Sequence, residues 1–266
     1  WVITRQGAET APIVIRGVPG PLGELPIIDG NGAVTRPELN YWGTNRGVIK
    51  IGGARVPADT MPRYIVIEGL DVRGARSANA FTNSSGATER YQDQAAAIWI
   101  EKGEHITLRG NHLHDSGNGL FVSSVDPDVS RSILVEGNAV YGNGNVGRIF
   151  EHNIYTEALG ITFQFNYLGP LLPGALGNNL KDRSGAFVAR YNWIYSGNRQ
   201  LDLVESDSPT IRADASYRST LVYGNVLIEP AGAANRQIVH YGGDNGETPI
   251  YRKGTLHFFN NTVVSL

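Results

Sequence analysis

The chain of 266 residues contains 33 glycines, about 12% against an average usage of roughly 7%, and its net charge is −2 with no block of like charges. This balance excludes a basic surface for nucleic acid and an electrostatic membrane patch, so neither partner is expected. The absence of cysteine excludes disulfides, thiolate catalysis and cysteine-ligated metals. No apolar run of about 20 residues and no signal-peptide pattern is visible, so we expect neither in this sequence.

Short runs that alternate apolar and polar residues follow one another along the chain, separated by turns rich in Gly and Asn, and helical periodicity is almost absent. The pattern predicts an all-β protein. One type of predicted strand occurs at 48–51, 97–100, 119–122, 153–156, 179–182, 201–204 and 237–240.

A second unit recurs between these segments, with the pattern apolar, any, apolar, two residues, Asn, any, apolar. Its asparagines, 26 to 36 residues apart, are Asn111, Asn138, Asn166, Asn192, Asn225 and Asn261. An earlier copy has Leu70 in the asparagine position. Units of this size must stack to bury an apolar face, and an asparagine at a turn can pair with its equivalent in the next coil. We therefore predict one domain over residues 1–266, a single-stranded right-handed parallel β-helix of about seven or eight coils.

Unequal intervals between the repeated strands predict loops that leave the stack. The longest intervals place these loops at 76–95, 124–131, 206–218 and 242–254. Because binding residues are commonly carried by loops on a rigid scaffold, we expect these segments to form the walls of a groove.

Two outward-facing columns are predicted on the first strand type. The first contains Lys50, Trp99, Phe121, Tyr155, Lys181 and Asp202, and the second contains Glu101, Ser123, Glu157 and Arg183. Equivalent residues on neighbouring coils lie about 4.8 Å apart. The residues of the last three coils should therefore share one polar patch.

Segments 11–17 and 64–70 and the repeated Gly-Asn-x-apolar units resemble bacterial proteins of the pectate-lyase-like β-helix superfamily, over nearly the whole chain. The superfamily contains lyases, hydrolases, esterases, epimerases and phage tailspikes, and a fold does not define an activity. The resemblance implies an acidic polysaccharide or oligosaccharide as the partner and a secreted or periplasmic location. It also implies calcium as a cofactor to consider, for which oxygen ligands could come from Glu101, Glu157, Asp202, Glu205 and Asp207, although no calcium-loop motif is present.

Adjacent cations in the predicted patch suit β-elimination of a uronate, which requires a neutralised sugar carboxylate, a base for the C5 proton and an acid for the leaving oxygen. Arg183 would bind the carboxylate with its planar fork. Lys181 would be the base if Arg183 and desolvation favour the neutral amine; if Asp202 prevails, Tyr155 or His152 is the better proton acceptor or donor. The catalytic candidates are Lys181, Arg183, Tyr155 and His152, and the substrate-binding candidates are Asp202, Glu157, Trp99 and Glu205.

A glycoside hydrolase is one alternative, with Asp202 paired with Glu205 or Glu157 at the roughly 5–9.5 Å that such carboxylates require. The clustered aspartates typical of hydrolases in the superfamily are missing. A non-catalytic glycan-binding or structural β-helix is the other alternative, in which the patch consists of surface ion pairs and stacked aromatic rings.

A metal site at His112, His114 and Asp115 is a separate hypothesis, because two imidazoles face one side of a strand with a carboxylate beside them. The polymer, any metal and the oligomeric state stay open at this point.

Overall fold

The computed structural model describes residues 1–39, 41–55, 58–233 and 235–266. Within these ranges the strands form three parallel sheets of eight strands each, here named A, B and C, and one antiparallel pair. Each coil of the chain adds one strand to sheet A, then one to B and one to C. The predicted all-β, single-stranded parallel β-helix is confirmed.

The strands of the three sheets follow the coil order. Sheet A contains Val2–Ile3, Gly47–Ile51, Ala96–Ile100, Asn118–Val122, Ile154–Thr156, Leu180–Asp182, Leu201–Leu203 and Val239–Tyr241. Sheet B contains Ile13–Arg16, Arg63–Glu68, Glu104–Arg109, Arg131–Glu136, Leu159–Gln164, Gly185–Arg190, Ser219–Tyr223 and Thr255–Phe259. Sheet C contains Ile27–Asp29, Asp71–Arg73, His112–His114, Ala139–Tyr141, Tyr167–Leu168, Trp193–Tyr195, Val226–Glu229 and Thr262–Ser265. The antiparallel pair joins Ala80–Thr82 to Thr88–Arg90, and the short helices are Thr44–Arg46, Pro209–Ala213 and Ala215–Arg218.

The core is a column of aliphatic side chains enclosed by the three sheets. In one coil, Ile98, Ile106 and Leu113 point inward from sheets A, B and C, and none is exposed to solvent. Full burial of such a side chain stabilises the fold by about 1.5–3 kcal/mol relative to exposure. Because residues alternate along each strand, this inward column leaves the intervening residues on the outer faces.

An asparagine ladder runs along the turn between sheets B and C. The main-chain N–H of Asn111 donates to Oδ1 of Asn138 at 2.9 Å, and Nδ2 of Asn138 donates to Oδ1 of Asn166 at 3.1 Å. The same bonds continue through Asn192 to Asn225 and Asn261. Leu70 has no side-chain amide, but its main-chain N–H still donates to Oδ1 of Asn111. The buried turn therefore keeps its polar groups paired from coil to coil.

A ladder of alternating charge lies on the outer face of sheet B. The register places Arg16 beside Glu68, Glu68 beside Arg109 and Arg109 beside Glu136. Arg109 Nε lies 2.9 Å from Glu136 Oε1, and Arg109 Nη1 lies 3.5 Å from Glu68 Oε2. Each neighbouring pair thus carries opposite charges, although an exposed pair contributes only about 0–1 kcal/mol.

Three of the predicted loops are tied to each other or to the stack. Asp126 of the 124–131 loop accepts hydrogen bonds from Oγ1 and N of Thr210, at 2.6 and 3.1 Å, in the 206–218 loop. The 242–254 loop is held by Arg252, which is buried and donates through Nη2 to Oδ1 of Asp182 at 2.9 Å. No helix in the described ranges is long and apolar enough to cross a membrane.

Candidate functional site

The outward column of sheet A has the predicted register. Trp99 pairs with Phe121, Phe121 with Tyr155, Tyr155 with Lys181 and Lys181 with Asp202, and the column continues to His240. In the second column, N of Glu157 donates to Val122 O and N of Arg183 donates to Thr156 O, one coil apart. The structure therefore brings the predicted polar residues onto one face. The name "sheet A patch" is used below for Tyr155, Lys181, Arg183, Asp202, His240 and Asp244.

Lys181 and Arg183 together hold the carboxylate of Asp244, a residue of the 242–254 loop that the sequence did not single out. Lys181 Nζ bonds to Oδ2 of Asp244, and Arg183 Nη2 lies 3.2 Å from Oδ1. Burial acts to raise the pKa of Asp244, but the hydrogen bond and charge of Lys181 and the charge of Arg183 outweigh it and keep that pKa below its usual value. The two cations therefore bind both oxygens of one carboxylate.

Lys181 has a second carboxylate partner, because its Nζ lies 3.3 Å from Oδ2 of Asp202. The side chain is only 12% exposed. Two carboxylates within salt-bridge distance make Lys181 a charge-neutralising group rather than an open base.

Arg183 connects the carboxylate site to the phenol of Tyr155. Its Nε donates to the Tyr155 hydroxyl at 2.9 Å, and its Nη1 donates to Glu205 O at 2.6 Å. Burial acts to raise the pKa of Tyr155, and the nearby charge of Arg183 only partly offsets it. The phenol thus keeps its proton, and because its oxygen accepts from Arg183, that proton is available to donate to a ligand.

His152 lies behind Tyr155 and is buried. Its Nδ1 accepts a hydrogen bond from N of Asn178 at 2.9 Å, so the ring proton is on Nε2. Burial, and then the charges of Lys181 and Arg183, lower the pKa of His152 to about 3. With its lone pair occupied, His152 is placed to orient Tyr155, whose ring it meets edge-on at 5.5 Å between centroids.

His240 completes the column, and our reasoning from the sequence did not select it. Its Nδ1 lies 2.7 Å from Oδ1 of Asp202, whose other oxygen accepts from Nδ2 of Asn178 at 2.7 Å. A carboxylate on Nδ1 fixes the tautomer that carries a lone pair on Nε2. The predicted strand 237–240 aligns Ile238 with Leu201 and so predicts Val239 as the outward residue. The structure pairs Val239 with Leu201 instead, and this shift by one residue brings His240 beside Asp202.

The predicted binding residues Glu157 and Glu205 face the loops. Oε1 of Glu157 accepts from Oγ of Ser206 at 2.6 Å and from N of Asp207 at 2.7 Å, while burial raises the pKa of Glu157. Glu205 accepts from N of Asp244 at 3.0 Å, which positions the loop that carries this aspartate. Both glutamates therefore hold loops that lie beside the patch.

Trp99 lies two coils from Tyr155 in the same column and is 5% exposed. Its ring stacks on Phe121 at 3.9 Å, and its Nε1 donates to Oε2 of Glu101 at 3.0 Å. The indole is thus packed within the face and supports the aromatic rings above it.

The carboxylates that the resemblance implied for calcium have partners within the protein, the weakest being that of Asp207, which lies 3.8 Å from Arg183. Glu101 is bound by arginines, Glu157 and Glu205 accept hydrogen bonds from main-chain N–H groups, and Asp202 binds Lys181 and His240. Among the described residues, no three His, Asp or Glu side chains are grouped to hold a metal ion.

The hypothesis of a metal at His112, His114 and Asp115 meets a similar obstacle. His114 is bonded through Nε2 to Asp71 at 3.1 Å and through Nδ1 to Asp115 at 2.8 Å, so both ring nitrogens are occupied. The His114 ring stacks on Tyr141.

The chain matches no protein-family model, no curated protein and no solved structure. Its class is therefore defined by its architecture, a parallel β-helix with a polar patch of cations, carboxylates, a phenol and an imidazole on one sheet.

Proposed function

We propose that the protein is a polysaccharide lyase of the pectate-lyase-like kind, which cleaves a uronate-containing polymer outside the cytoplasm by β-elimination at the sheet A patch. One observation carries the proposal: Lys181 and Arg183 bind both oxygens of a single carboxylate beside the hydroxyl of Tyr155. A uronate carboxylate that replaces Asp244 would meet the same two cations.

Binding of the substrate carboxylate by Lys181 and Arg183 would stabilise the negative charge that develops when the C5 proton leaves. His240 is the proposed base: its Nε2 accepts the C5 proton, and Asp202 stabilises the resulting imidazolium. The electron pair of the C5–H bond forms the C4–C5 double bond, and the C4–O bond breaks with its electron pair on oxygen. A water molecule gives a proton to that oxygen, and the imidazolium of His240 passes its proton to the hydroxide that remains. General acid and base groups of this kind each contribute about 10²–10⁴-fold in rate.

The test is a screen of acidic polysaccharides, including polygalacturonate, alginate and hyaluronan. We expect new ultraviolet absorbance from unsaturated products, and Lys181→Ala or Arg183→Ala should abolish it while circular dichroism stays unchanged. Arg16→Ala, which removes a cation from sheet B, is the matched control and should retain activity. New reducing ends without the absorbance would contradict elimination and indicate a hydrolase.

A non-catalytic glycan-binding module is the second candidate, favoured by the ion pairing of both patch cations, of which Arg183 is only 10% exposed. In that case Asp244 is a permanent partner of Lys181 and Arg183. Retention on an immobilised acidic polysaccharide, with neither absorbance nor new reducing ends across the screen, would establish binding without chemistry.

A further inference from the structure

We propose a carbohydrate-binding site at the corner between sheets B and C, where exposed aromatic rings of adjacent coils bind a neutral polysaccharide chain. The name "aromatic corner" is used below for Phe165, Tyr167, Tyr191 and Trp193. The width of sheet B on one side and of sheet C on the other separates this corner from the sheet A patch. The proposal therefore does not rest on the reaction proposed for that patch.

Four large aromatic side chains lie exposed on two adjacent coils at this corner. The register pairs Tyr167 with Trp193 on sheet C, and Phe165 and Tyr191 occupy equivalent positions at the end of sheet B. Each of the four is between 45% and 59% exposed. Single exposed apolar side chains are ordinary on a protein surface, whereas a contiguous group of large rings marks a binding surface.

Phe165 and Tyr191 adopt a left-handed backbone conformation that disfavours large side chains. Their φ angles are 58° and 56°. In four other coils the equivalent residue is a glycine with φ between 59° and 67°, at Gly69, Gly110, Gly137 and Gly224. A bulky residue costs free energy in this conformation, whereas glycine does not. Because both rings are about half exposed, burial offsets little of that cost, which indicates that they serve binding rather than stability.

The rings form a row along the rod with one open end. Phe165 stacks on Tyr191, with 5.5 Å between the centroids and 11° between the planes, and Tyr191 meets Tyr223 edge-on at 5.6 Å. The other face of Phe165 is turned toward the preceding coil, where the Cβ position of Gly137 has no atom within 4 Å apart from its chain neighbours. The C–H face of a sugar ring can therefore pack on Phe165 from that side, since the face of an aromatic ring carries partial negative charge.

The polar atoms of the aromatic corner are uncharged and available to a ligand. Within the described ranges, the hydroxyls of Tyr167 and Tyr191 and the indole N–H of Trp193 make no hydrogen bond to the protein. Arg190, which lies beside them on sheet B, faces the opposite charge of Glu136. Ring surfaces that alternate with O–H and N–H groups, without an ionised side chain among them, match a neutral sugar, which has apolar C–H faces and hydroxyls around its edge.

The outline of this surface favours a chain-like ligand over a protein. Tyr223 stacks on Phe259 at 5.0 Å, so the row of rings reaches from Phe165 over three further coils, about 14 Å along the rod, and is one to two rings wide. A stable protein interface takes about 800 Å² from each partner, which is larger than such a strip. A polysaccharide chain that lies along the rod would contact one ring after another.

Affinity electrophoresis in gels that contain hydroxyethyl cellulose, xylan, galactomannan or dextran would test the site. The double variant Phe165→Gly, Trp193→Val introduces the residues that neighbouring coils carry at these positions, Gly137 and Val226, and so removes two rings without strain in the backbone. We expect it to bind the best-retained polymer at least tenfold more weakly than the unmodified protein, with an unchanged midpoint of urea unfolding. Phe150→Ala removes an equally exposed ring outside the corner and should bind normally.

Three outcomes would overturn the site. They are retention by none of the four polymers, equal retention of the double variant and the unmodified protein, and self-association that the double variant abolishes while no polymer is retained, since the corner would then join copies of the chain. A fluorescence measurement covers the case in which the double variant folds poorly. In the unmodified protein, saturating polymer should shield Trp193 from acrylamide quenching, and Trp193→Phe should lack that shielding. Quenching that the polymer does not change would also overturn the site.

Discussion

Asp202 accepts a hydrogen bond at 2.7 Å from Nδ1 of His240, the residue at the same outward position one coil further along sheet A. The parallel register alone places the two side chains together, without a contribution from a loop. The Asp202 carboxylate is almost fully buried, and its bond to Nδ1 fixes the orientation of the imidazole.

The first prediction concerns this pair. His240→Gln should lower kcat about 100-fold or more, because the base for the C5 proton is lost, while the binding of acidic oligosaccharides changes little. Ultraviolet absorbance of the products gives kcat, and calorimetry gives the affinity. His257→Gln, at an exposed position on sheet B, is the control and should act like the unmodified protein. An unchanged kcat in His240→Gln would refute the assignment of the base.

A second prediction follows from the carboxylate that Lys181 and Arg183 hold. Asp244→Asn should lower KM for an acidic substrate about fivefold, because the substrate no longer displaces an ionised partner worth about 1 kcal/mol. The N–H bond of residue 244 to Glu205 remains in the variant, so the loop should keep its place. Asp207→Asn, whose more exposed carboxylate lies 3.8 Å from Arg183, should have a smaller effect. A raised KM in Asp244→Asn would show that Asp244 supports substrate binding instead of competing with it.

A third prediction concerns pH: because burial lowers the pKa of His152, the stability of the protein should fall as the pH falls below about 6.5. In the folded protein the imidazole of His152 becomes protonated only near pH 3, whereas in the unfolded chain it does so near its usual pKa of 6.5. The stabilisation from neutral His152 is thus complete above about pH 6.5 and is lost progressively as the pH falls toward 3.

Replacing His152 should reduce this dependence. Between pH 7 and pH 5 the free energy of unfolding of the unmodified protein should fall by about 2 kcal/mol more than that of His152→Asn, which keeps an acceptor for Asn178 but does not titrate. Urea denaturation at the two pH values measures the difference. Parallel changes in the two proteins would mean that folding does not shift the pKa of His152.

A fourth prediction compares Glu101, which is buried among cations, with Glu68, which pairs with exposed arginines. Glu101→Gln leaves buried cations without their counter-charge and should destabilise the fold by about 3–5 kcal/mol. Glu68→Gln in the charge ladder of sheet B should cost no more than about 1 kcal/mol. Denaturant unfolding monitored by tryptophan fluorescence gives both values. An equal loss of unfolding free energy in the two variants would contradict the greater role assigned to Glu101.

Much of the fold could be predicted from the sequence because two periodicities act together. Alternation within strands separates inward from outward residues, and the coil repeat aligns equivalent positions. These rules placed Tyr155, Lys181 and Asp202 in one column, and the structure has them in that register. The asparagine ladder was predictable for the same reason, since a repeated turn repeats its hydrogen bonds.

The loop contributions could not be predicted, because loop conformation depends on individual contacts rather than on a period. Asp244 lies on a loop that contacts of Arg252 and Glu205 help to hold in place. Arg46 and Arg55 likewise come from segments outside the repeated strands, so nothing in the repeat indicated that they would meet at Glu101. The calcium hypothesis came from the resemblance and the histidine-metal hypothesis from residue type and spacing, and neither takes into account the partners that occupy these side chains.

The alternating ladder on sheet B also bears on how the coils find their order during folding. If the chain skipped the coil of Arg109, Glu68 would face Glu136, and if it skipped the coil of Glu68, Arg16 would face Arg109. Both misalignments would bring equal charges together. The hydrophobic interior, in which one isoleucine resembles the next, offers little discrimination of this kind. Weak surface pairs that add little to stability would therefore still help the winding chain to reject a wrong neighbour.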